Sequence, residues 1–307
     1  MPVNFTYDLA KFIAFQDLAE CERVRAIKEN DIAKHANPEF KIRVIGDLGE
    51  FYAAFATDIV TRIKRAQEEG RPFIGIFPVG PMPQYAIAAR MINELRISMR
   101  HVHTFNMDEY ADQDGNTAPA DWPGAFQKAM MDNFFLKIDP SLRPPLDHVH
   151  FPATDNIQHY GQMIADMGGA DVCYGGIGWC GHIAFWEADL GREFGDDLAA
   201  YRRAGPRIVE LTPMTIMQNA LHSFGGDWSW VPPKAATIGP AQIVGARDRS
   251  FWLDGYIGGG VGWQRFIARL CAHGRVNTLV PGSLLQTVPG TYTIYGPVAS
   301  NLEIHMA

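Results

Sequence analysis

Short apolar runs alternate with helical patterns along most of the chain. Residues 47–69 place apolar side chains at helical spacing and end at Gly70, which predicts an amphipathic helix. Residues 73–78 form an apolar run that is typical of a strand buried on both faces. A loop of glycine and proline follows at 79–83, and a helix is predicted over about 84–96. This alternation predicts an α/β fold built on parallel strands.

The same alternation continues toward the C-terminus. Residues 111–122 are rich in Asp, Gly, Asn and Pro and are predicted to be a loop, whereas the charged stretch 188–206 predicts a mobile lid. We therefore expect a doubly wound, mostly parallel α/β sheet flanked by helices, with a lid segment. The remaining predicted strands lie at 101–106, 148–151, 171–175, 207–211, 235–238 and 250–254, and the remaining helices at about 124–136, 156–167, 212–222 and 261–272.

The first 40 residues precede this alternation and carry a predicted helix of their own over about 16–30. We expect an N-terminal helical extension over 1–40 and a single α/β domain over 41–307. The N-terminus lacks the basic segment and apolar core of a signal peptide, and no apolar run reaches about 18 residues. The sequence therefore gives no reason to expect a membrane partner.

Charge and cysteine content narrow the class of protein further. The 27 Lys and Arg residues against 34 Asp and Glu give a net charge of −7, which disfavours nucleic acid as a partner. A small anionic substrate is still compatible with this net charge, because the electrostatic field inside a binding site depends on the charges nearby. The four cysteines form no CxxC pair, which predicts reduced thiols and a cytoplasmic location; they are Cys21, Cys173, Cys180 and Cys271.

Two carboxylates follow the predicted strand 101–106, where α/β sheets usually bind their ligands. Asp108 and Glu109 are adjacent, so their side chains point in different directions. A carboxylate at such a strand end can move a proton next to a carbonyl group if burial raises its pKa. The alternative interpretation is a solvated turn or a helix cap.

A glycine-rich segment at 175–187, with the sequence GGIGWCGHIAFWE, follows another predicted strand. It places His182 five residues before Glu187, and a histidine beside a carboxylate can act as an acid or a base. The alternatives are a histidine that only stabilises the loop and a zinc site made by Cys180, His182 and Glu187.

Together, the segments FNMDEY at 105–110 and GGIGxxGHIAFxE at 175–187 resemble the glucosamine-6-phosphate deaminase family, whose wider group includes the 6-phosphogluconolactonases. The resemblance runs from about residue 45 to the C-terminus. It implies a Rossmann-like fold and an enzyme that converts an amino sugar or its phosphate to a ketose with release of ammonia. It also implies that no metal or organic cofactor is needed, and it allows a homo-oligomer.

The resemblance also implies roles for individual residues. Asp108 resembles the base that moves a proton between C2 and C1 of the open-chain sugar. His182 resembles the group that assists opening of the pyranose ring, and Glu187 resembles its carboxylate partner. The residues expected to contact the sugar substrate are Val79, Gly80, Glu109, Gly176, Gly178 and Gly181.

Cys180 departs from the family pattern, which has an aspartate two residues before the histidine. A carboxylate there would orient the imidazole and stabilise its cation. The thiol leaves three interpretations open: a weaker partner for His182, a nucleophile if a thiolate forms, or a small buried apolar side chain. Cys180 therefore stays among the candidate catalytic residues.

The loop that holds the sugar phosphate in the family is altered as well. Residues 78–83 read PVGPMP, so Val79 and Met82 offer no hydroxyl group, and Pro81 and Pro83 offer no N–H. The loop has thus lost several donors that an anion would use.

The family's basic phosphate ligands also lack clear counterparts. The lid arginine falls near Leu221, and the lysine after a later strand falls within 255–260. The glycines at 258–260 are consistent either with an anion site made of backbone amides or with a tight turn. Spare cations in the predicted lid are Arg202, Arg203 and Arg207.

Three functions follow from these patterns. The leading hypothesis is an amino-sugar isomerase or deaminase with an altered phosphate site, in which Asp108, His182 and Glu187 act. The second is a sugar lactonase, a hydrolase in which His182 activates water. The third is a sugar-binding protein that has kept the cleft and lost the reaction.

Overall fold

The computed structural model describes residues 7–257 and 261–304. The predicted glycine run at 258–260 therefore lies outside the described residues. The strands are β1 (Phe40–Ile45), β2 (Phe73–Phe77), β3 (Val102–Asn106), β4 (Asp108–Ala111), β5 (Val149–His150), β6 (Val172–Gly175), β7 (Arg207–Glu210), β8 (Lys234–Thr237), β9 (Asp248–Leu253) and β10 (Gly290–Tyr295). The α-helices are α1 (Leu18–Arg25), α2 (Leu48–Glu68), α3 (Pro83–Glu94), α4 (Phe126–Asn133), α5 (Ile157–Asp166), α6 (Leu198–Tyr201), α7 (Pro213–Ser223), α8 (Pro240–Gly245), α9 (Arg265–His273) and α10 (Gly296–Ala299).

Seven strands form one parallel sheet in the order β1-β10-β9-β6-β2-β3-β5. This order confirms the predicted doubly wound α/β sheet. Every residue of β2 is buried, and its side chains alternate between two apolar clusters on opposite faces of the sheet. Ile74 and Ile76 belong to one cluster, and Phe73 and Phe77 belong to the other. Helices that cover both faces explain why this strand is a continuous apolar run.

A second, smaller sheet is antiparallel and has the order β4-β8-β7. The chain enters it directly from β3 through Met107. The Met107 N–H donates to the Phe77 carbonyl at 3.0 Å, and the Met107 carbonyl accepts from the Ile238 N–H at 2.9 Å. Asp108 is therefore the first residue of a paired strand, opposite Thr237, and not part of a solvated turn.

The N-terminal region contains a shorter helix than predicted, since α1 spans eight residues. Val24 and Ile32 are fully buried in the same apolar cluster as strands of the large sheet. The assignment of 1–40 as a separate extension stays a prediction. Among the described residues, no helix is long and apolar enough to cross a membrane.

Residues 188–206, the predicted lid, contain a 3₁₀ helix at Ala188–Glu193 and the short α6. Tyr201 is fully buried and lies against Trp186, with ring centroids 6.2 Å apart. The segment is thus packed on the domain, and its mobility stays a prediction.

Candidate active site

A cavity of about 430 Å³ opens where the loops after β2, β3, β6 and β9 meet α7. These are the carboxyl ends of four neighbouring strands, where an open α/β sheet binds its ligands. None of residues 188–206 lines this cavity, so their role as a lid stays a prediction. The C-terminal part of α7 borders the cavity. The predicted site residues that line it are Val79, Gly80, Asp108, Gly176, Gly178 and His182.

Asp108 lines the cavity with only 5% of its surface exposed. Among the residues that the structure describes, none hydrogen-bonds its Oδ1 atom. Burial, and to a lesser extent the neighbouring Glu109 carboxylate, raise the pKa of Asp108 well above its usual value. The geometry provides an enclosed carboxyl group that is available to a ligand and suited to taking up and returning a proton.

Glu109 points away from the cavity and does not line it. Its Oε1 atom accepts the N–H groups of Tyr110 and Phe126, both at 2.9 Å, and its Oε2 atom accepts that of Gln127 at 2.8 Å. The carboxylate therefore caps the start of α4. This geometry speaks against the predicted contact between Glu109 and substrate.

His182 is buried, and its Nδ1 atom faces away from the cavity. Nδ1 lies 3.1 Å from Cys180 Sγ and 3.0 Å from Thr215 Oγ1. Burial lowers the pKa of His182, although Glu187 opposes this effect. A neutral imidazole protonated at Nδ1 fits these contacts, because both neighbours can accept a hydrogen bond. Nε2 is then free to act on a ligand.

Two positions of the motif require glycine, each for a different structural reason. A Cβ atom at Gly178 would lie 1.8 Å from His182 Nε2, so any side chain there would displace the imidazole. Gly181 has a φ of +85° and packs against Val280 and Ile267, away from the cavity. Gly181 therefore shapes the turn, and the predicted contact between Gly181 and substrate is not supported.

Glu187 lies behind the imidazole and is 1% exposed. Its Oε1 atom accepts the Thr212 N–H at 3.1 Å, and its Oε2 atom accepts the Thr212 hydroxyl at 3.1 Å. Thr212 is the N-cap of α7, so the carboxylate lies at the positive end of a helix dipole. Oε2 lies 3.8 Å from His182 Nδ1, which places Glu187 in an orienting position and not in the cavity.

Cys180 bridges these two groups. Its thiol donates to Glu187 Oε2 at 3.3 Å while Sγ also contacts His182. Burial and the Glu187 charge raise the pKa of the Cys180 thiol well above its usual value. The neutral thiol is therefore favoured over the thiolate, and Cys180 does not line the cavity. Of the three interpretations, the geometry favours a neutral partner of the imidazole over a nucleophile.

The ligand atoms of Cys180, His182 and Glu187 all lie within 4.8 Å of one another. These residue types at this spacing fit a zinc ion as well as a hydrogen-bonded network. The hydrogen bonds described above account for the spacing without a metal. That the reaction needs no metal stays a prediction.

The two predicted motifs converge through Thr237. This residue pairs with Asp108 across the small sheet, and its hydroxyl accepts the Phe185 N–H at 3.0 Å. The loop that carries His182 is thereby attached to the strand beside Asp108. Residues 105–110 and 175–187 are far apart in sequence, and the fold brings them to one cavity.

Sequence reasoning missed four polar residues of this region: Tyr52, Thr212, Thr215 and Asp254. Asp254 directly follows β9 and lines the cavity, where Tyr52 donates to its Oδ2 atom at 2.7 Å. Its place after an apolar strand was a usable signal, the same one that singled out Asp108. The two threonines belong to the start of α7, and no motif in the sequence links them to His182.

Two of the spare arginines in the predicted lid are engaged elsewhere. Arg202 donates to the Thr287 hydroxyl. Arg207 pairs with Glu193 at 2.9 Å and lies over the Trp186 ring. None of Arg202, Arg203 and Arg207 lines the cavity.

Sequence comparison identifies relatives that cover most of the chain. A protein named glucosamine-6-phosphate deaminase from Caenorhabditis elegans is 35% identical over 214 residues, which are 68% of this chain and 72% of the relative. A second, from Mannheimia succiniciproducens, is 31% identical over 237 residues, which are 75% and 80% of the two chains. The chain belongs to the glucosamine-6-phosphate deaminase family. The resemblance carried by the two motifs is thus confirmed.

Solved structures agree with this assignment at the level of the fold. A monomeric glucosamine-6-phosphate deaminase superposes with a TM-score of 0.70 at 22% identity, covering 85% of this chain and 99% of that one. A 6-phosphogluconolactonase from Thermotoga maritima gives a TM-score of 0.58 at 14% identity, covering 83% and 98%. No model of a protein family matches the chain.

Proposed function

We propose that this member of the glucosamine-6-phosphate deaminase family isomerises and deaminates a 2-amino sugar. The observation that carries the proposal is that Asp108 and His182 line one cavity, with Asp108 enclosed and His182 held from behind. The names of the relatives support this reaction over the lactonase. We further propose that the protein acts in the cytoplasm on small sugars, alone or as a homo-oligomer.

Ring opening is assigned to His182. Its Nε2 atom takes the proton of the anomeric hydroxyl, the bond between C1 and the ring oxygen breaks, and the ring oxygen receives the proton. The lowered pKa of His182 supports this role, because the imidazole is neutral and ready to accept a proton near pH 7. Cys180, Thr215 and Glu187 keep the ring in one orientation.

Proton transfer is assigned to Asp108. The carboxylate removes the proton from C2 of the open-chain amino aldehyde while the carbonyl oxygen O1 takes up a proton, which gives an enolamine. Asp108 then returns its proton to C1 while the amino nitrogen gives one up, which leaves an imine at C2 and a hydroxyl group at C1. Water then adds to C2 and ammonia leaves, which gives the ketose. The raised pKa of Asp108 supports this role, since the group must both accept and release the proton.

The test is to incubate the protein with amino sugars, phosphorylated and not, and to measure ammonia and ketose. We expect turnover that falls by about a thousandfold or more in Asp108→Asn, because the amide cannot accept the proton. Turnover that is unchanged by Asp108→Asn would contradict the proposal. Hydrolysis of a sugar lactone that needs His182 but not Asp108 would identify a lactonase, and binding without chemistry a sugar-binding protein.

A further inference from the structure

One wall of the cavity is not used by the proposed reaction. It lies beside β9, and we call it the β9 wall; its residues are Tyr52, His222, Asp254 and Trp263. In the large sheet, β6 and β2 separate β9 from β3. Three strand spacings separate β9 from β3 by about 14 Å along the sheet edge, and the chain reaches Asp254 directly after β9 and Asp108 shortly after β3. Two carboxylate side chains and one six-carbon sugar can fill that gap.

The part of the cavity lining that the structure describes offers no fixed positive charge. Among the described residues that line it, none is Lys or Arg, and its side chains that titrate in the acidic and neutral range are Asp108, His182, His222 and Asp254. Burial lowers the pKa of His222, which favours its neutral form. A phosphate dianion entering this cavity would meet carboxyl groups and no cation to offset its charge.

The start of α3 does not compensate for the missing cations. A helix N-terminus binds an anion through free amide groups. Here Pro81 and Pro83 have no N–H, and the Tyr85 N–H already donates to the Met82 carbonyl at 3.1 Å. The Gln84 side chain folds back onto the Pro81 carbonyl. The loop therefore offers an anion fewer N–H groups than an ordinary helix start, and its Val79 and Met82 side chains pack against an apolar cluster.

Asp254 and Tyr52 form a polar pair at the β9 wall. The Tyr52 hydroxyl from α2 donates to Asp254 Oδ2 at 2.7 Å, which fixes the carboxyl group at the rim of the cavity. Burial raises the pKa of Asp254, and the hydrogen bond from Tyr52 opposes this effect. The carboxyl group can hydrogen-bond a hydroxyl group of a sugar, and its ionised form repels a phosphate. The aromatic rings of His222 and Trp263, with centroids 4.9 Å apart, form an apolar surface beside it.

We propose that the substrate is an unphosphorylated 2-amino sugar whose terminal hydroxyl group is bound by Asp254. This inference rests on the proposed function, because it names the substrate class of the same cavity. Asp254 acts in substrate selection at the β9 wall, whereas Asp108 and His182 act on C1 and C2. The chain end that carries a phosphate in a sugar phosphate carries a free hydroxyl here.

Binding of an unreactive analogue separates this inference from the reaction. The probes are 2-amino-2-deoxyglucitol and its 6-phosphate, which have no carbonyl group and cannot isomerise. By calorimetry on the full chain, we expect the unphosphorylated probe to bind at least tenfold more tightly. Tighter binding of the 6-phosphate, or no binding of either probe, would overturn the inference. If the free probe binds and no amino sugar is turned over, the proposed function fails, and only the binding preference for the unphosphorylated sugar at the β9 wall stands.

Two variants then assign the preference to Asp254. Asp254→Asn should weaken binding of the free probe by about tenfold, the usual effect of losing a hydrogen bond to a charged group. With the free sugar as substrate, KM should rise while kcat stays nearly unchanged, a split that a merely structural role would not give. Tyr52→Phe should give a smaller effect in the same direction. Asp189→Asn, which alters a surface ion pair with Arg192, is the matched control and should leave binding unchanged.

An unchanged affinity in a folded Asp254→Asn protein would remove Asp254 from the proposal. Asp254→Lys provides the opposite change, because it places a cation at the β9 wall. We expect it to favour the 6-phosphate probe over the free one. Equal loss of both probes in that variant would also contradict the assignment.

Discussion

The two walls of the cavity are built in different ways. Beside β3, Asp108 is enclosed by the protein, and His182 is fixed by two neutral hydrogen-bond partners at Nδ1 and a buried carboxylate behind it. Beside β9, one carboxyl group is held by one tyrosine at the rim. The β3 side carries the residues of the family motif, whereas the β9 wall carries a carboxyl group and no cation among its described residues. Under the proposed function, proton transfer and substrate selection therefore rest on separate elements and can change independently.

The largest expected effect is that of Gly178→Ala, which should impair the β3 side of the cavity and leave the β9 wall unchanged. The new Cβ atom would lie 1.8 Å from His182 Nε2 and must displace the imidazole. We expect deamination to fall about a hundredfold or more, since a shift of about 1 Å at a reacting group can cost that much. Binding of the free amino alcohol at the β9 wall should change little. Ammonia release and calorimetry measure the two effects.

Gly176→Ala is the matched control for that prediction. Its Cβ atom would meet the Gly80 carbonyl oxygen at 3.4 Å, an ordinary contact. We expect activity close to that of the unaltered chain. Equal loss in both variants would show that the loop as a whole, and not the position of the imidazole, limits the reaction.

Cys180→Asp tests how the neighbours of His182 on the β3 side set its pKa. A carboxylate beside Nδ1 should raise the pKa of His182, which burial lowers in this chain. The imidazole C–H resonances followed by NMR across a pH titration measure the change. Cys180→Ser, which keeps a neutral group, should leave the pKa of His182 almost where it is. A rise of equal size with serine would mean that the charge is not the cause.

Glu109→Gln should produce a smaller change in the pH profile. Burial and, secondarily, the charge of Glu109 raise the pKa of Asp108, and the base works only when deprotonated. Activity therefore falls as the pH drops through that raised pKa. Removing the neighbouring charge lowers the pKa of Asp108, so the acid limb of kcat/KM should move to lower pH. An acid limb that stays in place would contradict the assignment of that limb to Asp108.

Chelation should have the smallest effect of all. We expect incubation with EDTA, followed by assay in metal-free buffer, to leave deamination unchanged within error. The reason is that hydrogen bonds alone satisfy Cys180, His182 and Glu187. Loss of activity that added zinc restores would instead support the alternative in which these three residues bind the metal.

The sequence predicted five of the seven strands of the large sheet and missed β1 and β10. The strands β2, β3 and β6 lie inside the parallel sheet, where burial on both faces requires the apolar runs that made them visible. β1 was missed because it is an edge strand in which the exposed Lys41, Arg43 and Val44 leave only two buried residues. β10 was missed as well, although it lies inside the sheet, because polar residues interrupt its apolar pattern. The pairing of Asp108 with β8 was also missed, since no local pattern reports a partner more than a hundred residues away.

In the candidate site, residues of continuous motifs were predicted from the sequence, whereas contacts between distant residues were not. Asp108, His182 and Glu187 were identified because they belong to continuous motifs at strand ends. Glu109 was misassigned because its partners, the amides of Phe126 and Gln127, come from a helix that begins 17 residues later. Asp254 follows an apolar strand as Asp108 does and could have been identified, whereas its pair with Tyr52 spans 202 residues and carries no sequence pattern.

Met107 helps to set the distance between Asp108 and the imidazole of His182. Its N–H belongs to the large sheet and its carbonyl to the small one, so it joins the two layers one residue before the base. The imidazole comes from a loop of the large sheet, whereas Asp108 is the first residue of the small sheet. The separation of the two groups is therefore a property of how the layers align. A rigid-body rotation of one sheet relative to the other would change the distance between Asp108 and His182. No residue that lines the cavity would need to be replaced for that change.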